Sequence, residues 1–248
     1  MKIATIVKQV PEAEARVAAV GGALDATGIT TVLDGMDEYG VELALRLREG
    51  GAEAEIVAIG YGPYGSGEAV RTALALGADS GILAEGLESF DALSVALGLA
   101  TILRRLEPDL VVVGGKQTDW DSCALGPAIA AALGWPHVDW VTSFKLDGSR
   151  FEAAHDADDA SETVIGCLPV VVTTQQGLNE PRYPSLPSIM KAGRKPLEHV
   201  AVEASTPRVS VRAYSPVDHR RRGVMLEGEA STVAEELARR LRDEAKVR

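Results

Sequence analysis

A zinc or redox centre needs cysteines close together, and this 248-residue chain has two, Cys123 and Cys167, far apart in sequence. Sparse cysteine fits a reducing, cytoplasmic compartment. Positive charge is also short: 25 Lys and Arg against 36 Asp and Glu leave a formal net charge of −11. That argues against a nucleic-acid binder, whose binding face is normally basic. No apolar run approaches the ~20 residues needed to span a bilayer. The chain enters strand-like Lys2–Val7 at once, leaving no room for a signal or transit peptide. The histidines His137, His155, His199 and His219 are widely spaced, and no serine or cysteine sits in a nucleophile elbow. Repeats and low-complexity tracts are lacking too. Nothing in the side chains points to bond-making chemistry.

What is present is apolar patterning. Hydrophobic residues make up 46% of the chain, ample for one large α/β domain with extensions or for two small domains. Ile3–Val7, Glu55–Ile59, Ser80–Ala84 and Val111–Val113 read as strands. Helical spacing follows them at Met36–Glu49, Gly67–Leu76 and a long segment capped by Ser89, in which Leu93, Leu97, Ala100 and Leu103 share a face. Asp34 is a candidate N-cap with Asp37 three residues later, and Gly77 a C-cap. Ala13 to Thr31 reads as a loop or short hairpin. Strands alternating with helices over 1–134 predict an open, mostly parallel sheet with helices on both faces, Rossmann-like in class.

The pattern changes after Trp135-Pro136. Val138–Leu146 and Arg150–Ala154 predict an antiparallel hairpin about Asp147-Gly148. Ser161–Ile165 and Val170–Thr174 predict further strands, and a proline-punctuated loop, 175–196, carries a short helix at Ser188–Ala192. Val200–Tyr214 has alternating strand character, Arg220-Arg221-Arg222 is a basic row, and Thr232 with Glu235 predicts a capping box on a last helix running to Ala245. Residues 1–200 are thus expected as the α/β domain. The segment 201–248 is too thinly apolar for its own core and is expected as an arm lying on another chain.

Three stretches are candidate sites. Val111–Pro127 runs from a buried strand through Gly114-Gly115-Lys116-Gln117 to a helix at about Cys123–Leu133 that Asp121 or Ser122 can cap. Such helix starts present unpaired N–H groups to anions. With Val7-Lys8, Asp34–Asp37 and Tyr61-Gly62-Pro63 it forms a set of strand-end turns where ligands of open sheets bind. The turns read equally as ordinary connections, and Lys8 and Lys116 as phosphate partners or solvated lysines. Leu178–Ala192 holds Leu186 between Ser185 and Pro187, an exposed knob beside Lys191, Arg194 and Lys195 or else a loop folded back on the core. The acidic run Asp156–Asp159 reads as a solvated turn rather than a metal site.

The motifs resemble those of one family. LNEPRYPSLPSIMK (Leu178–Lys191) is similar almost letter for letter to the partner-recognition loop of electron-transfer flavoprotein beta subunits. Gly115-Lys116-Gln117 with Asp119 and Asp121-Ser122 resembles that family's nucleotide loop. Asp37-Glu38-Tyr39 with Val41-Glu42, Arg71–Asp79, and Asp158–Thr163 before Leu168–Thr173 resemble it in the same order.

The resemblance implies a non-catalytic electron carrier, a heterodimer with an alpha subunit that holds most of an FAD, while AMP sits structurally in this subunit. It implies AMP contacts at Ile6, Asp34, Gly35, Met36, Asp37, Tyr61, Gly62, Pro63, Gly115, Lys116, Gln117, Asp119, Asp121, Ser122, Cys123, Ala124 and Leu125. It implies docking through Leu186, Ile189, Met190 and Lys191 to flavin dehydrogenases, and electron delivery to a quinone oxidoreductase or other acceptor. A bifurcating form with a second FAD in this subunit, and a nucleotide-hydrolysing or adenylating enzyme using Asp119 and Asp121, are the alternatives. The chain departs from the family in having Asp34-Gly35-Met36 where Asn-Pro-Phe is common, one residue fewer before Asp119, Ala124 for a frequent Gln, His155 for an Arg and Ala160 for a glycine.

Overall fold

Alternate residues of an extended chain face opposite ways, so a strand apolar at every position must be covered on both sides. A computed structural model of the chain describes residues 1–63, 65, 67–88, 91–203, 205–215 and 223–244. The order is β1 (Lys2–Pro11), β2 (Ala18–Val20), β3 (Ala23–Asp25), β4 (Thr31–Leu33), α1 (Gly35–Glu49), β5 (Glu55–Tyr61), α2 (Gly67–Leu76), β6 (Ser80–Glu85), α3 (Ala92–Leu106) and β7 (Leu110–Gly114). Then come α4 (Leu125–Leu133), β8 (His137–Asp147), β9 (Arg150–Asp156), β10 (Ser161–Cys167), β11 (Val170–Thr174), α5 (Leu186–Ala192), β12 (Leu197–Ala201) and α6 (Ala230–Asp243).

The main sheet has the strand order β10-β9-β8-β11-β7-β1-β5-β6-β12, with β4 paired to the end of β1. Strands β8 to β12 along this path pair in parallel, and β9 and β10 add the antiparallel extension. Ile3 and Val7 of β1 and Val112 of β7 pack with α1 and α2; Ala4 and Ile6 with Val111 and Val113 pack with α3 and α4. The predicted open sheet with helices on both faces is therefore the fold. Successive strands run to one side of β1 through β5 and to the other through β7, so the order reverses between β1 and β7. Crevices of open α/β sheets lie at such a reversal.

Several local expectations shift. β1 continues through Pro11, because Gln9–Pro11 pair antiparallel with β4. The apolar face of α3 is Val95, Leu99, Ile102 and Leu103, while Leu97 is exposed. Asp91 caps α3 by accepting from the Leu93 N–H; Ser89 lies outside the described residues. Helix α4 begins at Leu125 rather than Cys123, and neither Asp121 nor Ser122 caps it; Ala124 stands at the cap with no side-chain bond. Beyond Ala201 the expected strand character gives way to irregular chain with Val209 and Val211 exposed, and no strand pairs with it among the described residues.

Contacts divide the chain into Met1–Tyr214 and Ser215–Arg248. In the second unit α6 is capped at Glu229 with no side-chain bond, so the Thr232–Glu235 box does not form, and none of its residues is buried. Arg220–Arg222 and Ala245 lie outside the described residues. Among the described residues no helix is long and apolar enough to cross a membrane.

Candidate functional site

The crevice at the reversal is built by two aspartates at the start of α1. Asp34 caps the helix: its Oδ1 accepts from the Met36 N–H at 2.9 Å and its Oδ2 from the Thr118 N–H at 2.7 Å. Asp37 lies one turn on and is expected to bond back within its own helix. It turns into the sheet instead, accepting from the Lys8 N–H at 2.8 Å and the Gly114 N–H at 3.0 Å. A single carboxylate thereby ties the ends of β1 and β7 across the reversal. Burial, and second the charge of Asp34, push the pKa of Asp37 well up against the pull of these donors. Thr174 at the end of β11 adds a hydroxyl donated to the Met36 carbonyl at 2.8 Å, and its own carbonyl accepts from Gly115 at 3.0 Å.

Lys8 is neither a solvated lysine nor an open phosphate partner. It is 1% exposed, and its Nζ meets Asp119 Oδ1 at 2.7 Å, with the Tyr61 and Trp120 rings beside it. Gly62, at φ +118°, lies so close that a Cβ there would come 3.1 Å from the Lys8 Cε. Gly114 admits no Cβ because the Asp37 carboxylate lies against it, and Gly115 none because of the Thr174 carbonyl and the Trp140 ring. These are close-approach glycines, and their role is backbone packing.

The predicted nucleotide residues thus divide. Ile6, Asp34, Asp37, Tyr61, Gly115, Gln117 and Leu125 are buried; Met36, Gly62, Pro63, Lys116, Asp119, Ser122 and Ala124 are half-buried; Gly35, Asp121 and Cys123 are exposed. Lys116 pairs with Asp121 at 2.9 Å on the outside of the turn. Both Asp121 (φ +51°) and Cys123 (φ +53°) are left-handed, and Ala124 is right-handed. Alternation of this kind turns successive N–H groups toward one point, and the first-turn amides of α4 have no intrahelical acceptor. Three buried polar atoms nearby lack a hydrogen-bond partner: Tyr61 OH, Gln117 Oε1 and Asp119 Oδ2. Burial foremost, then the charges of Asp37, Asp119 and Asp34, hold the Tyr61 hydroxyl protonated.

Lys8 and Thr174 take larger parts here than the sequence suggested, and Trp140 enters unannounced. The apolar run Ile6-Val7 before Lys8 and Val10 after it gave only a weak signal for the first. Nothing local marks Trp140, which a bulge in β8 sets at φ +46°. The acidic run Asp156–Asp159 is an exposed turn closed by Ala157 N–H to the Ala160 carbonyl at 2.8 Å. No group of side chains among the described residues could hold a metal ion.

The segment expected to dock a partner is shaped differently. Ser185 caps α5 and Pro187 sits in its first turn, where a missing N–H costs nothing. Leu186 is 78% exposed, Met190 73% and Tyr183 96%, with Ile189 and Lys191 also exposed. Behind them the segment is held tightly. Arg182 meets Glu42 at 2.8 Å and Glu49 at 2.5 Å, and Asn179 donates to the Tyr39 carbonyl at 3.0 Å. Arg71 donates to the Ala192 carbonyl at 2.7 Å. Lys195, expected on the surface beside the knob, turns inward to the Leu74 and Ala78 carbonyls at 2.9 and 2.6 Å and completes the end of α2.

Comparison with known proteins covers most of the chain. A family model described as the electron transfer flavoprotein domain matches residues 22–205. The electron transfer flavoprotein subunit beta of Bradyrhizobium diazoefficiens is 35% identical over 253 aligned residues, spanning 100% of both chains. That of Syntrophomonas wolfei is 32% identical over 247, spanning 100% of this chain and 98% of its own. The human protein of the same name is 35% identical over 226, spanning 85% and 88%.

Proposed function

The chain belongs to the electron transfer flavoprotein family, among its beta subunits, and on that premise we propose that it is the AMP-holding half of a heterodimeric electron carrier. The alpha subunit is the partner and holds most of the FAD. Electrons pass in the cytoplasm from flavin dehydrogenases to a quinone oxidoreductase or another acceptor. The flavin supplies the redox chemistry, accepting and releasing electrons; this chain supplies placement and docking.

One observation carries the nucleotide assignment. The left-handed residues Asp121 and Cys123 lead the turn into α4, whose Leu125 and Gly126 N–H groups have no intrahelical acceptor, beside the unpartnered Tyr61, Gln117 and Asp119 polar atoms. Such N–H groups suit a phosphate. The orphaned side-chain atoms suit a polar, hydrogen-bonding base and sugar, which would restore the partners they lack. Asp34, Met36 and Gly115–Gln117 would form the wall. AMP in this place is structural: it fills the crevice and fixes the β1–β7 end.

A phosphate-transferring enzyme would need free carboxylates near that point, and Asp119 and Asp121 are engaged with Lys8 and Lys116. This favours the carrier over the hydrolase. The test is a nucleotide count on the heterodimer purified after co-expression with the alpha subunit. One AMP and one flavin per dimer are expected; two flavins and no AMP would overturn the assignment in favour of a bifurcating complex.

A further inference from the structure

Beside the docking helix lies a cavity of about 430 Å³, walled by Met36 and Tyr39 of α1, Thr72 of α2, and Arg182 and Tyr183 of the docking segment, with Glu38 in its lining. Its charge is unbalanced. Arg182 brings a cation, but that cation is already matched by Glu42 and Glu49, and Arg46 further pairs with Glu42 at 2.7 Å. Glu38 is half-buried and has neither a hydrogen-bond donor nor a cation beside it among the described residues; burial first and the charge of Asp34 second raise its pKa. The ends of α1 therefore differ. Glu42 and Glu49 are neutralised by Arg182, Asp37 of the first turn is engaged with the sheet, and Glu38 beside it faces the cleft with no cation at hand among the described residues.

An unpaired, partly desolvated carboxylate in a cleft with both apolar and polar walls is suited to a long cationic side chain. The stem of lysine or arginine lies along apolar surface while the charged head reaches an anion. The rings of Tyr39 and Tyr183 add faces on which a cation is attracted. Tyr183 and Pro184 line the cleft, and the chain runs from them through Ser185 directly into α5 with its exposed Leu186 and Met190.

We propose that this cleft is a second docking subsite, in which Glu38 receives a lysine or arginine side chain from the same dehydrogenase surface that covers Leu186. This rests on the reading of α5 as the dehydrogenase-docking face. Leu186 supplies contact area, and Glu38 supplies orientation, because a buried charge pair across an interface penalises every pose that leaves it unmatched. The two anchors together fix a docked partner against rotation, which one knob cannot do.

The experiment uses the heterodimer with bound flavin and a purified flavin dehydrogenase that reduces the wild type. KM for the carrier and kcat are measured for Glu38→Gln, Glu38→Lys and Leu186→Ala across a salt series. Glu38→Gln is expected to raise KM about three- to fivefold at low salt, and Glu38→Lys about tenfold, with the effect in KM and not in kcat, fading as salt screens the pair. If both Glu38 variants keep the wild-type KM while Leu186→Ala raises it, the subsite is overturned and the docking face stands. If all three are silent, the docking reading falls and the subsite with it. Loss of flavin or of the alpha subunit in Glu38→Gln would place the cleft against alpha and also overturn the proposal.

Discussion

Two loops of this protein solve opposite problems. The turn at 114–125 points its polar groups inward, to Asp34, Asp37 and Lys8, and leaves little on the surface that advertises a role. The segment at 176–196 points its polar groups backward, to α1 and α2, and its apolar side chains out. Each has a main ion pair beside a second one: Lys8–Asp119 with Lys116–Asp121 in the first, and Arg182–Glu49 with Arg182–Glu42 in the second. Lys8–Asp119 is nearly dry, at 1% and 7% exposure, whereas Arg182–Glu49 is half in water. The contrast fits the two proposed tasks: a structural ligand site would need a rigid, desolvated frame, and a docking site apolar surface kept from collapsing onto the core.

If the frame at 114–125 is as tightly determined as its bonds suggest, Lys8→Met is the most damaging change. It leaves Asp119 buried without its cation, and loss of one partner of a buried pair costs about 3–5 kcal/mol. Urea denaturation of the heterodimer checks this, with Lys8→Met/Asp119→Leu expected to regain most of the loss. A double variant no better than the single one would mean that Lys8 acts through its stem packing against Gly62 and not through the pair.

Asp37→Asn comes next. The amide keeps one acceptor but sets an N–H donor against the N–H of Lys8 or Gly114, leaving a buried donor unmet at a cost of about 1–3 kcal/mol. A thermal melt that is unchanged would show that the carboxylate does not join β1 to β7.

On the docking side, Leu186→Ala is expected to leave the melting temperature unchanged, since the side chain is exposed. It should raise the KM for the dehydrogenase about tenfold, roughly 1.4 kcal/mol of interface energy. Normal kinetics would remove the contrast between the loops altogether.

The smallest effect concerns the Arg182 clamp. Burial opposes ionisation of Glu42, but the hydrogen bonds and charges of Arg182 and Arg46 prevail and hold its pKa below the usual range. A depressed carboxylate stabilises above its unfolded pKa, about 4.3, and that contribution is lost as pH falls through the folded value. Protection of the 178–185 amides, taken relative to the intrinsic exchange rate at each pH, should therefore fall on acidification below pH ~4 while the β1 amides stay protected. Arg182→Ala should produce the same loosening at neutral pH, about three- to tenfold in local exchange.

Much of the fold was legible in the residues. Runs such as Leu110–Val113 and Val170–Val172 declare strands covered on both faces, and Asp147-Gly148 declares the hairpin. The exposure of Leu186 was only half legible: the prolines around it allowed either an exposed knob or a loop folded on the core, and the structure leaves Leu186 78% exposed. The nucleotide frame was legible only in outline. Asp37 looked like half of a capping box, yet its partners are 29 and 77 residues away, and no local pattern distinguishes a carboxylate bonding its own helix from one bonding two strands. Lys195 misled for the same reason: the carbonyls it meets lie 117 and 121 residues back, at the end of α2.

By itself, then, the sequence determined the alternation of strands and helices over 1–134, the hairpin after it, and that the chain carries the family's loops in order; it misplaced part of the buried face of α3 and the strand expected beyond Ala201. What it determined follows from side-chain period and turn chemistry, which act over a few residues. Tertiary structure alone decided that β1 and β7 are neighbours, that Lys8 lies inside, and that Glu38 is the carboxylate left unpaired beside the docking helix. Strand order sets which distant polar groups meet, and a buried polar group is placed by the partner it finds.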